Sequence, residues 1–341
     1  MGVPLTDLLA PSSLEFEAMG GKRIAIDALN SLYQFLSIIR QPTGELLMDS
    51  KGRATSHLSG LFYRNLNLLE FGIKPVYVFD GRPPRLKGRT TEVRREARER
   101  AAVEWKRALD EERYELAKTK AMQSTSLNEA MLSDSNELLG YLGIPCVQAP
   151  SEGEAQAAHM AMKGEVWAAG SQDYDSLLFG APRLVRNLTI SGRRKIPRRN
   201  AYVEVKPEIL HLERVLKELE ITREQLVDLA ILIGTDYNPK GIEGVGPKRA
   251  LVLIREHGDA ERALAAKGIS PAFDVQEVRD LFLNYERTDD YKLEWAPIDK
   301  EKVTKFLCDE RDFSPERIGN ALQRLEKAQA KSQVSLDSWF G

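Results

Sequence analysis

The chain has 341 residues, enough for one large domain or two medium ones, and its 42% hydrophobic content supports a sizeable core and argues against global disorder. A formal net charge of −2 with 29% charged residues fits either a mixed surface or segregated acidic and basic regions, so the charge has to be read locally. The two cysteines, Cys146 and Cys308, have no metal-type spacing, which argues against a disulfide scaffold and a structural zinc site. Met1 to Leu5 lacks a basic stretch followed by a long apolar run, and no segment has the length of an apolar membrane helix, so a soluble intracellular protein is expected.

In chain order, residues 22–29 form a short apolar strand running into Asp27, and residues 74–81 form a second that ends on Asp80. A third strand is expected over 144–148 and a fourth over 165–169, with helical stretches such as His57 to Phe71 and Leu127 to Leu142 between them. This alternation predicts an α/β fold: a central, mostly parallel sheet flanked by helices on both faces. Arg82 to Lys120 differs, with 13 basic and 8 acidic residues and few large apolar ones. Arg94 and Arg98 beside Glu92 and Glu96 give it the spacing of an exposed helix, expected to project from the core or cross over it. Residues 176–203 carry seven basic residues and no acid. Arg223 to His257 has a helix–loop–helix pattern, helical stretches follow Pro271, and a flexible tail is expected from Lys331. There is no internal repeat and no low-complexity segment.

Seven acids stand out by position. Asp27 and Asp80 follow apolar strands directly, Glu152 and Glu154 follow the third, Asp173 and Asp175 follow the fourth, and Asp236 lies in the loop Ile233-Gly234-Thr235-Asp236-Tyr237. In open parallel sheets the carboxyl ends of the strands share one edge, where ligands bind. Acids at successive strand ends should therefore crowd together, and such a crowd stays ionised only with cations present. An all-oxygen set without histidine favours Mg²⁺, with Mn²⁺ as a substitute, over zinc. The number of carboxylates is too large for one ion and points to two, a pair suited to phosphodiester hydrolysis. Taken singly, each acid is more simply a solvated residue or a helix cap; for the set at strand ends that alternative is weaker. The histidines His57, His159, His211 and His257 are scattered and suit core or surface positions.

Lys87 and Arg94 are seven residues apart, about two helical turns, so both can face the acid pocket and meet an incoming phosphate; a solvated charged helix is the plain alternative. Tyr33 is placed to stack on a base at the pocket mouth, although a lone aromatic is more often core. Gly241 to Ala250, with Gly244, Gly246, Pro247, Lys248 and Arg249, has the composition of the hairpin in a helix–hairpin–helix DNA-binding element. Its glycines let backbone amides approach a phosphate, and its proline suits a helix start. Such an element grips backbone without reading sequence. In the tail, Gln333, Leu336, Trp339 and Phe340 would cluster in a tight three-residue turn, suited to anchoring in a partner's pocket or to docking back on the protein itself.

The motifs Ile26-Asp27-Ala28, Val78 to Pro84, Ala149 to Gln156, Ser171 to Asp175 and Gly234 to Tyr237 make the chain resemble the flap endonucleases of the structure-specific 5′ nuclease (XPG-like) family, over nearly its whole length. The resemblance implies a PIN-like 5′ nuclease fold in which 1–330 form one nuclease domain. Within it, 1–98 are the N-terminal region, 82–135 a helical arch over the active site, and 136–258 the internal region, with the helix–hairpin–helix at 223–257. Residues 259–330 are then a C-terminal helical region and 331–341 a tail that binds the ring-shaped sliding clamp (PCNA), with Trp339 where phenylalanine or tyrosine is common.

All seven metal-site acids of the family fall on acids here: Asp27, Asp80, Glu152, Glu154, Asp173, Asp175 and Asp236. Lys87 and Arg94 match its basic pair on the scissile phosphate, Tyr33 its stacking tyrosine, and the hairpin near Gly244 to Pro247 its cation site, often filled by K⁺. The implied activity is endonuclease cleavage at the base of 5′ flaps in branched duplex DNA, with 5′–3′ exonuclease activity, leaving a 5′-phosphate and a 3′-hydroxyl. Its implied setting is Okazaki fragment maturation and base excision repair, by a protein that is monomeric alone and not bound to membrane. Asp27, Asp80, Glu152 and Glu154 would chiefly hold one ion, and Asp173, Asp175 and Asp236 the other. Many eukaryotic members carry a lysine-rich extension beyond the clamp-binding box, so the end at Gly341 points to an archaeal source and a cytoplasmic location, with a nuclear one expected if the source is eukaryotic. Two rivals stay open: a single-strand ribonuclease, and a non-catalytic clamp-bound DNA adaptor.

Overall fold

The computed structural model describes residues 2–189, 192–195 and 202–340, with side chains for all of these except Arg89, 192–195, 202–204 and 331–340. The strands are β1 (Ser12–Ser13), β2 (Arg23–Asp27), β3 (Lys74–Phe79), β4 (Cys146–Gln148), β5 (Ala168–Gly170), β6 (Arg183–Arg186), β7 (Gly192–Lys195), β8 (Tyr202–Val205) and β9 (Glu208–His211). The first half of the chain carries helices α1 (Ala28–Ile38), α2 (Ser56–Glu70), α3 (Lys87–Asp110), α4 (Tyr114–Gln123), α5 (Glu129–Tyr141), α6 (Gly153–Met162) and α7 (Asp175–Leu178). The second half carries α8 (Leu212–Leu219), α9 (Arg223–Ile233), α10 (Pro247–His257), α11 (Ala260–Ala266), α12 (Val275–Leu283), α13 (Lys300–Thr304) and α14 (Pro315–Phe340).

Seven strands form one sheet in the order β1-β9-β6-β5-β2-β3-β4, and β7 pairs with β8 as a separate ribbon. In the seven-stranded sheet the pairs β2–β3, β2–β5, β3–β4 and β5–β6 are parallel and β6–β9 and β1–β9 are antiparallel, as is the β7–β8 ribbon. The strands alternate between two apolar layers, as period-2 geometry requires. Ala25, Val76 and Val78 face a core shared with α6 and α9, whereas Ile24, Ile26, Tyr77 and Phe79 face a core shared with α1, α2 and the start of α14. Burial on both faces is what makes a parallel sheet stable.

The chain leaves β2 toward β3 and β4 on one side, and β5 and β6 lie on the other, so the strand order reverses at β2. A crevice opens at the carboxyl ends of strands flanking such a point. Helix α3 rises from this edge and packs back on α4, with Lys120 paired to Glu104 between them. Helix α9 begins with a capping box between Thr222 and Gln225. The turn after α9 needs glycine at 241, where φ is +53° and a Cβ would lie 2.5 Å from the Ile233 carbonyl carbon. Helix α6 is clamped to the segment after α12: Gln156 Nε2 donates to the Thr288 carbonyl at 2.8 Å and Thr288 N–H donates to Gln156 Oε1 at 2.9 Å.

The backbone of α14 continues to Phe340, past the point near Lys331 where a flexible tail is expected. No proline interrupts the run after Pro315, and its only glycine before the end is Gly319, so nothing local stops the helix. The side chains of Gln333, Leu336, Trp339 and Phe340 lie outside the described residues. Among the described residues no helix is long and apolar enough to cross a membrane.

Candidate active site

The crevice at the carboxyl edge of the sheet is a cleft of about 540 Å³, and its lining includes Asp27, Asp80, Glu152, Glu154, Asp173, Asp175 and Asp236 together with Tyr33, Lys87 and Arg94. Asp27 ends β2 and caps α1, its Oδ1 accepting the Asn30 N–H at 3.0 Å. Asp80 follows β3 and accepts the Gly153 N–H at 2.8 Å. Glu152 stands at the N-cap position of α6 without a side-chain cap bond, so its carboxylate is turned into the cleft rather than onto its own helix. Glu154 accepts from Ser176 Oγ at 3.4 Å. Asp173 and Asp175 follow β5 and are held by the start of the chain: Gly2 N–H donates to Asp173 Oδ1 at 2.8 Å and Val3 N–H to Asp175 Oδ1 at 2.9 Å.

Two basic side chains of α3 close the cleft. Lys87 Nζ lies 2.5 Å from Glu152 Oε2 and 3.9 Å from Asp236 Oδ2, and Arg94 Nη2 lies 2.5 Å from Asp236 Oδ1. Thr90, between them, donates its hydroxyl to the Asp236 backbone carbonyl at 2.5 Å. Tyr33 lies at the same cleft, with the Arg98 guanidinium 5.4 Å from its ring centre.

Burial and mutual repulsion act on these acids together. Burial, and then the neighbouring Asp80, push Asp27 up to about 8. Burial and Asp173 push Asp175 up to about 7. Glu154 is raised well above the usual carboxylate range by burial and by the neighbouring Asp175, Asp27 and Asp173. Burial also raises Asp80 and Glu152, against the pull of Lys87. Lys87 is buried, which alone would lower it, but Glu152, Asp80 and Asp236 outweigh that and hold it protonated.

Among the described residues, no three His, Cys, Asp or Glu side chains are already gathered tightly enough to hold an ion by direct contact alone. The shared cleft and the upward shifts nevertheless describe a site short of positive charge. The donor set, all carboxylate oxygen, fits a hard divalent cation.

The hairpin residues Gly244, Gly246, Lys248 and Arg249 do not join this cleft. They lie exposed: Gly244, with φ +74°, and Gly246 in the loop between α9 and α10, and Lys248 and Arg249 in the first turn of α10, where Pro247 takes the first helical position. Arg249 Nη1 donates to the Gly244 carbonyl at 3.1 Å, fixing the loop. The histidines are not in the cleft: His57 is buried in the core, and His159 Nε2 lies 2.7 Å from Asp289 Oδ1. Sequence reasoning missed Gly2, Val3, Asn30 and Thr90. Only Asn30, three residues after Asp27, carried a local signal, that of a helix cap.

The chain matches the XPG N-terminal domain over residues 1–101 and the XPG I-region over residues 143–236. It is 58% identical to flap endonuclease 1 of Pyrococcus abyssi over 341 residues, covering 100% of this chain and 98% of that one. Among solved structures it is similar to flap endonuclease-1 from Methanococcus jannaschii, with TM-score 0.76, 42% identity and coverage of 97% of this chain and 100% of that one. It is also similar to the catalytic core of Rad2 in complex with a DNA substrate, with TM-score 0.69, 26% identity and coverage of 92% and 96%. Full-length identity at this level, on the same α/β fold, leaves no other assignment: the chain belongs to the flap endonuclease 1 family of XPG-type nucleases.

Proposed function

We infer that the enzyme is a structure-specific 5′ flap endonuclease, with 5′–3′ exonuclease activity, that hydrolyses phosphodiesters at the base of flaps in branched duplex DNA. The observation that carries the chemistry is the single cleft lined by Asp27, Asp80, Glu152, Glu154, Asp173, Asp175 and Asp236 and closed by Lys87 and Arg94. The family is metal-dependent, and the finer proposal is two Mg²⁺, replaceable by Mn²⁺. Asp27, Asp80, Glu152 and Glu154 chiefly serve one ion, and Asp173, Asp175 and Asp236 the other. Bound there, the ions supply a water activated for attack and charge to stabilise the leaving oxygen.

The chain's own groups do the rest. Lys87 and Arg94 exchange their bonds to Glu152 and Asp236 for bonds to the scissile phosphate, orienting it and balancing the charge that develops on it. Tyr33 stacks on the base beside that phosphate, displacing Arg98 from its ring. Gly244, Gly246, Lys248 and Arg249 grip the duplex backbone away from the cleft, with K⁺ at the same hairpin, and contribute affinity without sequence preference. Helices α3 and α4 form the arch through which the single-stranded flap passes. Gln333, Leu336, Trp339 and Phe340 bind the sliding clamp, and the enzyme works as a monomer, in the cytoplasm, in Okazaki fragment maturation and base excision repair.

Cleavage-site mapping on a labelled 5′-flap duplex tests the reading. With Mg²⁺ the expected product is cut at the flap base and carries a 3′-hydroxyl, EDTA abolishes it, and single-stranded RNA is spared. Preferred cleavage of the RNA would favour a ribonuclease instead, and binding without any product would favour a DNA adaptor.

A further inference from the structure

Asn30 hydrogen-bonds to acids on both sides of the cleft. Its backbone N–H donates to Asp27 Oδ1 at 3.0 Å, and its side-chain Nδ2 donates to Asp173 Oδ2 at 3.0 Å. An asparagine amide can donate or accept depending on which way it is turned, so something must fix it. Here Gln34, one helical turn further along α1, donates from Nε2 to Asn30 Oδ1 at 2.7 Å. Gln34 is fixed in turn, because its Oε1 accepts the Thr189 hydroxyl at 3.0 Å. Every donor in the series therefore points the same way, from Thr189 through Gln34 and Asn30 to Asp173.

We propose that Asn30 is a positioning residue that sets Asp27 and Asp173 relative to each other, and that Thr189 and Gln34 hold its amide in the donating orientation. This rests on the two-ion reading above, in which Asp27 and Asp173 serve different ions. With Asn30 and Gly2 on its two oxygens, Asp173 is fixed in direction, and the spacing between the two halves of the site is set through α1. Thr189 lies three residues beyond the end of β6, so the far end of the relay is anchored on the sheet's other half and not on α1 alone. Hydrogen-bond partners of ligating carboxylates typically matter about 10–100-fold in metal affinity or activity.

The test uses Gln34→Glu, which touches none of the seven acids. A carboxylate at 34 can still accept from Thr189 but cannot donate to Asn30. It draws the Asn30 NH₂ group to itself and turns Asn30 Oδ1 toward Asp173, oxygen against oxygen. Mn²⁺ binding to the DNA-free, full-length protein is followed by electron paramagnetic resonance for wild type, Asn30→Ala, Gln34→Glu and the double variant, with circular dichroism melting as a check on folding. The expected result is about 10-fold or greater weakening of Mn²⁺ binding in each single variant, with melting little changed. In the double variant the loss should be no greater than in the worse single one, because both act through one amide. Wild-type Mn²⁺ affinity in a folded Gln34→Glu protein, or losses that simply add, overturns the relay. If wild type binds only one Mn²⁺, the two-ion reading fails by itself; the relay then stands if the variants weaken that ion and falls if they do not.

Discussion

Lys87 Nζ sits 2.5 Å from Glu152 Oε2, tying the first residue of α3 to the cap of α6. A lysine so placed partly neutralises a carboxylate proposed to serve a divalent ion, and on the same proposal it meets the entering phosphate. Lys87→Ala is therefore expected to slow single-turnover cleavage about 10²–10³-fold. Half-saturation by Mg²⁺ should not rise, because a competing cation has been removed. A higher Mg²⁺ requirement with an unchanged maximal rate would assign Lys87 to metal binding instead.

Asp80→Ala and Asp175→Ala remove one acid from each side of the cleft. Both are expected to keep flap-duplex affinity, which the proposal assigns to the hairpin and the arch, while cleavage falls below detection. Binding measured by fluorescence anisotropy in Ca²⁺ and cleavage measured in Mg²⁺ separate the two effects. Full activity in either variant refutes the role assigned to that acid.

The start of the chain is as confined as the acids it holds. A Cβ on Gly2 would lie 2.6 Å from Asp173 Cβ and 2.7 Å from Asp175 Oδ1. Gly2→Ala must displace one or the other and is expected to cut the cleavage rate at least about 10-fold, by misplacing metal-serving carboxylates. Gly319, on α14, has nothing within 4 Å of its Cβ position, so Gly319→Ala should leave the rate unchanged. Equal rates for both variants would show that the N-terminal contacts are dispensable.

The raised carboxyls set a pH dependence whose sign follows from linkage. Asp27 moves from 3.8 up to about 8 and Asp175 from 3.8 to about 7, chiefly through burial. The folded state therefore binds more protons than the unfolded one between about pH 4 and 8, and metal-free stability falls as pH rises through that window. Buried His57, lowered from 6.5 to about 4 chiefly by burial, acts with the opposite sign, and its contribution is lost as pH falls through about 4. Above pH 6.5 the carboxyls act without that opposition. In EDTA the melting temperature should therefore drop between about pH 6.5 and 8.5, Mg²⁺ should restore it, and Asp27→Asn should raise the metal-free value at pH 8 by roughly 5 °C. A metal-free melting temperature independent of pH and of this substitution would contradict the shifts.

Deleting 333–341 is expected to leave basal cleavage intact and to abolish stimulation by the sliding clamp. Undiminished stimulation of the truncated protein would move the clamp contact elsewhere.

The parallel half of the sheet was legible because β2 and β3 are apolar runs that end on acids. Strand β5 was expected over 165–169 but spans Ala168–Gly170. Glu165 is drawn instead to Lys163 and Tyr291, and a run of alanine and glycine carries little strand signal of its own. Gly170 packs close to β2, where its Cβ position lies 3.2 Å from Ile24 Cγ2, so small size serves the sheet better than strand propensity. Strand β6 was hidden because it lies inside the basic stretch 176–203, with an arginine at each end. Six of the acids were legible because each ends or follows a strand or opens a helix, whereas Asp236 lies in the loop between α9 and α10. The amides of Gly2 and Val3 were not, since their partners lie 171 and 172 residues away and only the closed sheet brings them together.

The central claim is that these seven acids together serve two divalent ions, and crystals of the enzyme with a flap duplex and Mn²⁺ test it most directly by anomalous scattering. Two peaks in the cleft, about 3.5–4 Å apart, one toward Asp27, Asp80 and Glu152 and the other toward Asp173, Asp175 and Asp236, are the expected result. A single peak, or peaks away from these carboxylates, would contradict it.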